Sequence, residues 1–242
     1  MIYAYRTETG RRIANEDYCS IPAENEKPIV IVADGMGGHR AGNVASYIAV
    51  ESITKYIETS SITNTRMLLQ HAVSYANKQI FEAAQQDEKC SGMGTTVVMA
   101  YVRPQRFTYA NVGDSRLYHF SGGELKLITR DHSFVEELVR SGVITREQAE
   151  THPQKNILMR AVGTSPFLKA DTGTVEWKEG DIIMLCSDGL HGSLNVRRAE
   201  EILETENDLL TACDRLTETA LAAGSSDNIT VVLVKNTGGI GA

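Results

Sequence analysis

Short apolar runs recur along the chain, bounded by Gly, Asp or Asn: Ile29–Ala33, Thr95–Val102, Phe107–Val112, Arg116–Phe120, Ile182–Cys186 and Ile229–Val234. Their length and β-branched or aromatic content predict strands. Between the first two runs the period changes. Val44, Ile48, Ile53 and Ile57 mark one amphipathic stretch. Leu69, Ala72, Val73, Ala76 and Ile80 mark another, at three- and four-residue spacing, and together they predict a pair of helices. Further helices fit Phe134–Ser141 and Arg197–Ala223. Helices and strands do not alternate strictly, which argues against a doubly wound parallel sheet and for an α+β fold of antiparallel sheets with helices packed on them.

Composition narrows the function classes. The chain has 242 residues, enough for one large domain with a substantial core. A net charge of −7 argues against nucleic-acid binding, which needs a basic face, and against a polybasic membrane contact. No apolar run approaches the roughly 20 residues that span a bilayer. The start, Met1-Ile2-Tyr3-Ala4-Tyr5-Arg6, lacks the features of a secretory leader. Cys19, Cys90, Cys186 and Cys213 form no CxxC pair and fit reduced thiols of a cytoplasmic protein. Residues 1–237 are expected to form a single domain, with Gly238–Ala242 as a loose tail.

The aspartates carry the chemistry. Asp34 follows the first apolar run and opens Asp34-Gly35-Met36-Gly37-Gly38-His39. Asp188 follows Ile182–Ser187 in the same way. Asp114 sits between two strands in Gly113-Asp114-Ser115-Arg116, Asp227 precedes the last strand, and Asp17 precedes a short one. Singly, an Asp at a strand end is a turn residue, and Asp181 after Gly180 fits that description. Five such ends gathered at one sheet edge would repel each other unless a cation compensates. All are hard oxygen donors without clustered His or Cys, which suits Mg²⁺ or Mn²⁺. A pair of such ions is a common device for phosphoester hydrolysis. A GxxxxGK[ST] loop, a cysteine six residues before an Arg, a DxD pair and GxSxG are all absent.

Eight motifs in order resemble the metal-dependent protein phosphatases of type 2C, in their compact bacterial form. They are Arg12–Asp17, Ala33–His39, Ser91–Thr96, Asn111–Arg116, Thr129–Ser133, His152–Asn156, Ser187–Leu190 and Ser226–Thr230. The resemblance implies a sandwich of two antiparallel β-sheets flanked by helix pairs, in α-β-β-α layers, with metals at one end. It implies that Asp17, Asp34 and the Gly35 carbonyl hold two core ions, completed by Asp188 and Asp227. Asp114 and Asp188 would share a weaker third. Arg12 would grip the substrate phosphate, a task suited to a planar, permanently charged fork. It also implies in-line attack by a metal-bridging hydroxide on phosphoserine and phosphothreonine monoesters of protein substrates, opposing a bacterial Ser/Thr kinase. The segment 131–165 would be a mobile flap, and the protein a monomer.

One position departs from the pattern. Met36 stands where some members carry a His that serves as a candidate general acid. His39 is near it in sequence, and Asn228, Arg116 and His39 are candidates for orienting the ligands. Thr95 and Thr96 are expected to be packing residues, and His191 to line the site. Two rival functions remain at this point: a two-metal hydrolase of another phosphoester, and a degenerate member that only binds a partner.

Overall fold

The polypeptide folds into two antiparallel sheets stacked face to face, each covered on its outer side by helices. The structure, a computed structural model, describes residues 1–37 and 41–238. In chain order the strands are β1 (Ile2–Glu8), β2 (Asp17–Ser20), β3 (Ile29–Met36), β4 (Gly94–Thr95), β5 (Val97–Arg103), β6 (Arg106–Val112), β7 (Arg116–Ser121), β8 (Glu124–Leu127), β9 (Asp171–Glu176), β10 (Ile182–Cys186) and β11 (Ile229–Lys235). The helices are α1 (Ala41–Thr59), α2 (Thr65–Gln86), α3 (Phe134–Arg140), α4 (Arg146–Glu150), α5 (Asp188–His191), α6 (Val196–Thr205) and α7 (Leu209–Ala222). One sheet runs β1-β11-β10-β7-β8. The other runs β2-β3-β5-β6-β9, with β4 beside β3.

Period-two alternation on strands buried on both faces builds the layers. Ile29, Ile31 and Ala33 of β3 face α1 and α2, whereas Val30 and Val32 face the opposite sheet. On the other sheet, Ile182, Met184, Ile229, Val231 and Leu233 pack under α6 and α7. Ile183, Leu185, Val232 and Val234 turn inward. The inner layer also holds Phe107 against Trp177, with ring centroids 5.5 Å apart and edge to face.

Two expectations are corrected. The helix expected over Arg197–Ala223 is two helices, because Asp208 caps α7 by accepting from Thr211 N at 2.8 Å and the chain turns at Glu206–Asp208. The buried stripe of α1 is made largely of small residues, Ala41, Gly42, Ala45, Ser46 and Ala49, together with Val50, Ile53 and Ile57. Val44 lies outside it and is 37% exposed. Small residues let α1 approach β3 closely enough to leave Val44 on the rim.

The excursion between β8 and β9 carries α3 and α4 and is tied down at both ends. At its entry Arg116 forms a forked pair with Asp131, Nη2 to Oδ2 at 2.7 Å. At its return the buried Asn77 of α2 accepts from Gly163 N at 2.7 Å and donates to Ser165 O at 2.8 Å. Of the expected tail, Gly238 donates its N–H to Asn236 Oδ1 at 3.0 Å, and the rest lies outside the described residues.

Candidate active site

The layered fold brings the five aspartates to one end. Asp34 continues the inward-facing parity of Val30 and Val32, and Asp17 of β2 stands directly across the ladder from it. These two come from one sheet. Asp188, after β10, and Asp227, before β11, come from neighbouring strands of the other. Asp114 sits where the chain crosses between sheets from β6 to β7.

Their electrostatics bear out the crowding. Burial, then the charges of Asp17, Asp188, Asp114 and Asp227, hold the Asp34 carboxyl well above the ordinary carboxylate range. Asp17 is pushed up to about 7, mainly by burial, although hydrogen bonds from Ser187 and Thr230 oppose the rise. Asp114 is likewise raised to about 7 by burial and by Asp188. Asp188 is raised by burial and Asp227.

Whether these residues fit a pair of hard cations can be tested on their oxygens. Asp17 Oδ1 and Asp188 Oδ1 are buried without a hydrogen-bond partner. Buried carboxylate oxygens are rarely left so, and an oxygen-seeking cation would satisfy both. Gly35 approaches so closely that a Cβ there would lie 2.1 Å from the Gly42 carbonyl oxygen and 2.6 Å from that of Glu16. Only glycine fits beside Asp34. Among the described residues no three His, Cys, Asp or Glu side chains are already drawn together as an ion cage. Asp227 is instead turned to Arg12, whose Nη2 lies 2.7 Å from Oδ2. The chemistry of the donor set fits such ions.

The other candidates are placed as follows. Asn228 braces the loop of Arg12 and Asp17: its amide donates to Thr9 O and Ala14 O, and its Oδ1 accepts from Glu16 N at 2.8 Å. Arg116 spends its hydrogen bonds on Asp131 and Tyr118. His39 lies outside the described residues. His191 is half-buried, its Nε2 3.0 Å from the Asp114 carbonyl, and burial lowers its pKa to about 3. It is therefore a neutral donor that holds the Asp114 turn.

A second set of polar residues escapes a reading of the sequence. Thr95 and Thr96 are more than packing: Thr95 Oγ1 donates to Asp34 O at 2.8 Å, and Thr96 Oγ1 accepts from Asp34 N at 2.9 Å. Ser187 Oγ donates to Asp17 Oδ2 at 2.7 Å across the sandwich, while accepting from Thr230 N. The available signal was a hydroxyl residue at the end of an apolar strand, next to or opposite an aspartate.

Comparison with known proteins agrees with this geometry. The family model for Protein phosphatase 2C matches residues 7–233. A serine/threonine phosphatase, stp, of Listeria innocua is 41% identical over 96% of this chain and 94% of its own length. The serine/threonine phosphatase of S. agalactiae superposes with a TM-score of 0.90 at 35% identity, covering 96% of this chain and 98% of its own. The catalytic domain of the phosphatase PstP, solved in complex with two manganese ions, superposes with a TM-score of 0.86 at 33% identity, covering 97% of each chain.

Proposed function

The chain belongs to the protein phosphatase 2C family and is a protein serine/threonine phosphatase; from that premise we propose that Asp17, Asp34, Asp188 and Asp227, with the Gly35 carbonyl, hold two Mn²⁺ or Mg²⁺ ions. The observation that carries this is the pair of buried, unpartnered oxygens, Asp17 Oδ1 and Asp188 Oδ1, within a cluster of like charges. When bound, such ions acidify water and neutralise charge on the phosphate. Asp114, with Asp188, serves a weaker third ion.

The remaining roles belong to the chain itself. Arg12 stands at the rim, paired with Asp227 and half-exposed, so its fork is free to swing onto an incoming phosphate. Ser187 holds the Asp17 carboxylate, the two threonines hold the Asp34 backbone, and His191 holds the turn of Asp114. Met36 supplies no proton, and leaving-group protonation falls to a water near Asp114. The segment 131–165 serves as the flap beside the site. A cytoplasmic monomer opposed by a Ser/Thr kinase is the setting that suits this reading.

The test is turnover of a phosphothreonine peptide with Mn²⁺ and with EDTA. Wild type should turn over only with the metal. Asp34→Ala should lose turnover and the ions together, while Arg12→Ala should raise KM with metal affinity retained. Asp114→Asn should keep tight binding of two ions by calorimetry and lower kcat. Metal-independent turnover, or wild-type turnover by Asp34→Ala, would end the proposal.

A further inference from the structure

Beside the site, a cleft of about 340 Å³ opens between β2 and α1, lined by Asn15, Asp17, Tyr18, Asn43, Val44 and Tyr47. Asp17 is also one of the residues of the carboxylate cluster, so the cleft lies next to the site. Parity explains its character. Asp17 and Cys19 face the inter-sheet layer, so Tyr18 between them points outward toward α1. There its ring meets Tyr47 edge to face, with centroids 5.3 Å apart.

Three large apolar side chains are left open to solvent at this one place: Tyr18 at 37%, Val44 at 37% and Tyr47 at 50%. Val44, Tyr47 and Glu51 succeed one another at helical spacing, so they form one stripe about 10 Å long on α1. Glu51 is exposed at its far end.

The cleft and the α1 stripe that continues from it therefore combine aromatic faces, an aliphatic wall and a terminal carboxylate, in a chain of net charge −7. That combination suits a long cationic side chain, whose stem lies on apolar surface while its head meets ring faces and a carboxylate. An acidic occupant would set a like charge near Glu51, and a purely apolar one would gain nothing from it. We infer that the cleft lined by Tyr18, Val44 and Tyr47, with Glu51 one turn beyond Tyr47 on α1, is a substrate-recognition subsite for an Arg or Lys side chain flanking the phosphorylated residue. This deepens the phosphatase reading and rests on it.

The test uses phosphothreonine peptides in which a single Arg is moved through the three positions on either side, against an all-Ala background. Wild type loaded with Mn²⁺ should favour Arg at one position by about fivefold in kcat/KM, through KM. Glu51→Gln and Tyr47→Ala should each cut that preference to under about twofold. Neither should change turnover of the all-Ala peptide or of p-nitrophenyl phosphate. A wild type without an Arg preference at any position, or one preferring an apolar or acidic flank, overturns the inference. So does a preference that survives both substitutions. If the Mn²⁺-loaded protein hydrolyses p-nitrophenyl phosphate but no phosphopeptide, the protein-phosphatase reading itself fails, and the subsite with it.

Discussion

At the scale of single residues, the site is a place where the metal-free fold works against itself. Raised carboxyl pKa values mean that the folded chain binds protons more tightly than the unfolded one. That stabilisation is fully present below about pH 4, the ordinary Asp range, and is lost as pH rises through about 7, where Asp17 and Asp114 titrate. In EDTA the urea midpoint should therefore be higher at pH 5.5 than at pH 8, and Mn²⁺ should reverse the order, since it competes with the same protons. A midpoint that rises with pH in EDTA would contradict the crowding. Asp34→Asn removes one charge from the cluster, and its metal-free melting temperature should equal or exceed that of wild type while the increase caused by Mn²⁺ disappears. A calorimetric scan with and without the ion checks both halves. The five aspartates were legible in the sequence because Asp34 and Asp188 end apolar runs and Asp17, Asp114 and Asp227 stand at strand boundaries. Thr95, Thr96 and Ser187 were not, because a hydroxyl at a strand end looks the same whether it packs or bonds, and only the neighbouring strand decides.

At the scale of elements, the excursion 131–165 is fastened at its two ends by different chemistry. The entry is an ion pair largely withdrawn from water, with the Asp131 side chain 12% exposed. Arg116→Ala would strand that carboxylate and should cost about 3 kcal/mol in urea unfolding, with part recovered by Arg116→Lys, which keeps the charge and loses the fork. The return depends on Asn77, which is buried and bonded twice. Asn77→Ala leaves two backbone groups unpaired and should cost about 1–3 kcal/mol, accompanied by faster limited proteolysis between 131 and 165. Unchanged proteolysis would show that Asn77 does not fasten the segment. The strands β3, β10 and β11 were legible from their continuous apolar runs alone. β1 and β9 were not, since Ile2–Glu8 and Asp171–Glu176 are edge strands with mixed faces and little apolar run. The break between α6 and α7 was hidden because Asp208 is an ordinary helix residue until its carboxylate is seen to cap.

At the scale of the whole molecule, the proposed ions join the two sheets, because Asp17 and Asp34 come from one and Asp188 and Asp227 from the other. Ligand binding of that kind stabilises the entire folded state, by about 2.7 kcal/mol at a hundred times Kd. For a chain of this size that corresponds to a rise of very roughly 5–10 °C in Tm. Scanning calorimetry should show one transition in EDTA and one in Mn²⁺, the second hotter. Two transitions of which only one moves would mean that the sheets unfold separately. The sandwich also has its first and last described strands side by side: β1 pairs only with β11, Ile2 opposite Lys235 through Glu8 opposite Ile229. A ribosome delivers β1 and Asp17 early, and Asp227 and β11 only after about two hundred further residues have been added. Until then the set of carboxylates lacks Asp227, and β1 lacks the strand it pairs with. A chain that stops before Asp227 lacks both a proposed ligand and the partner of β1, and should show no turnover.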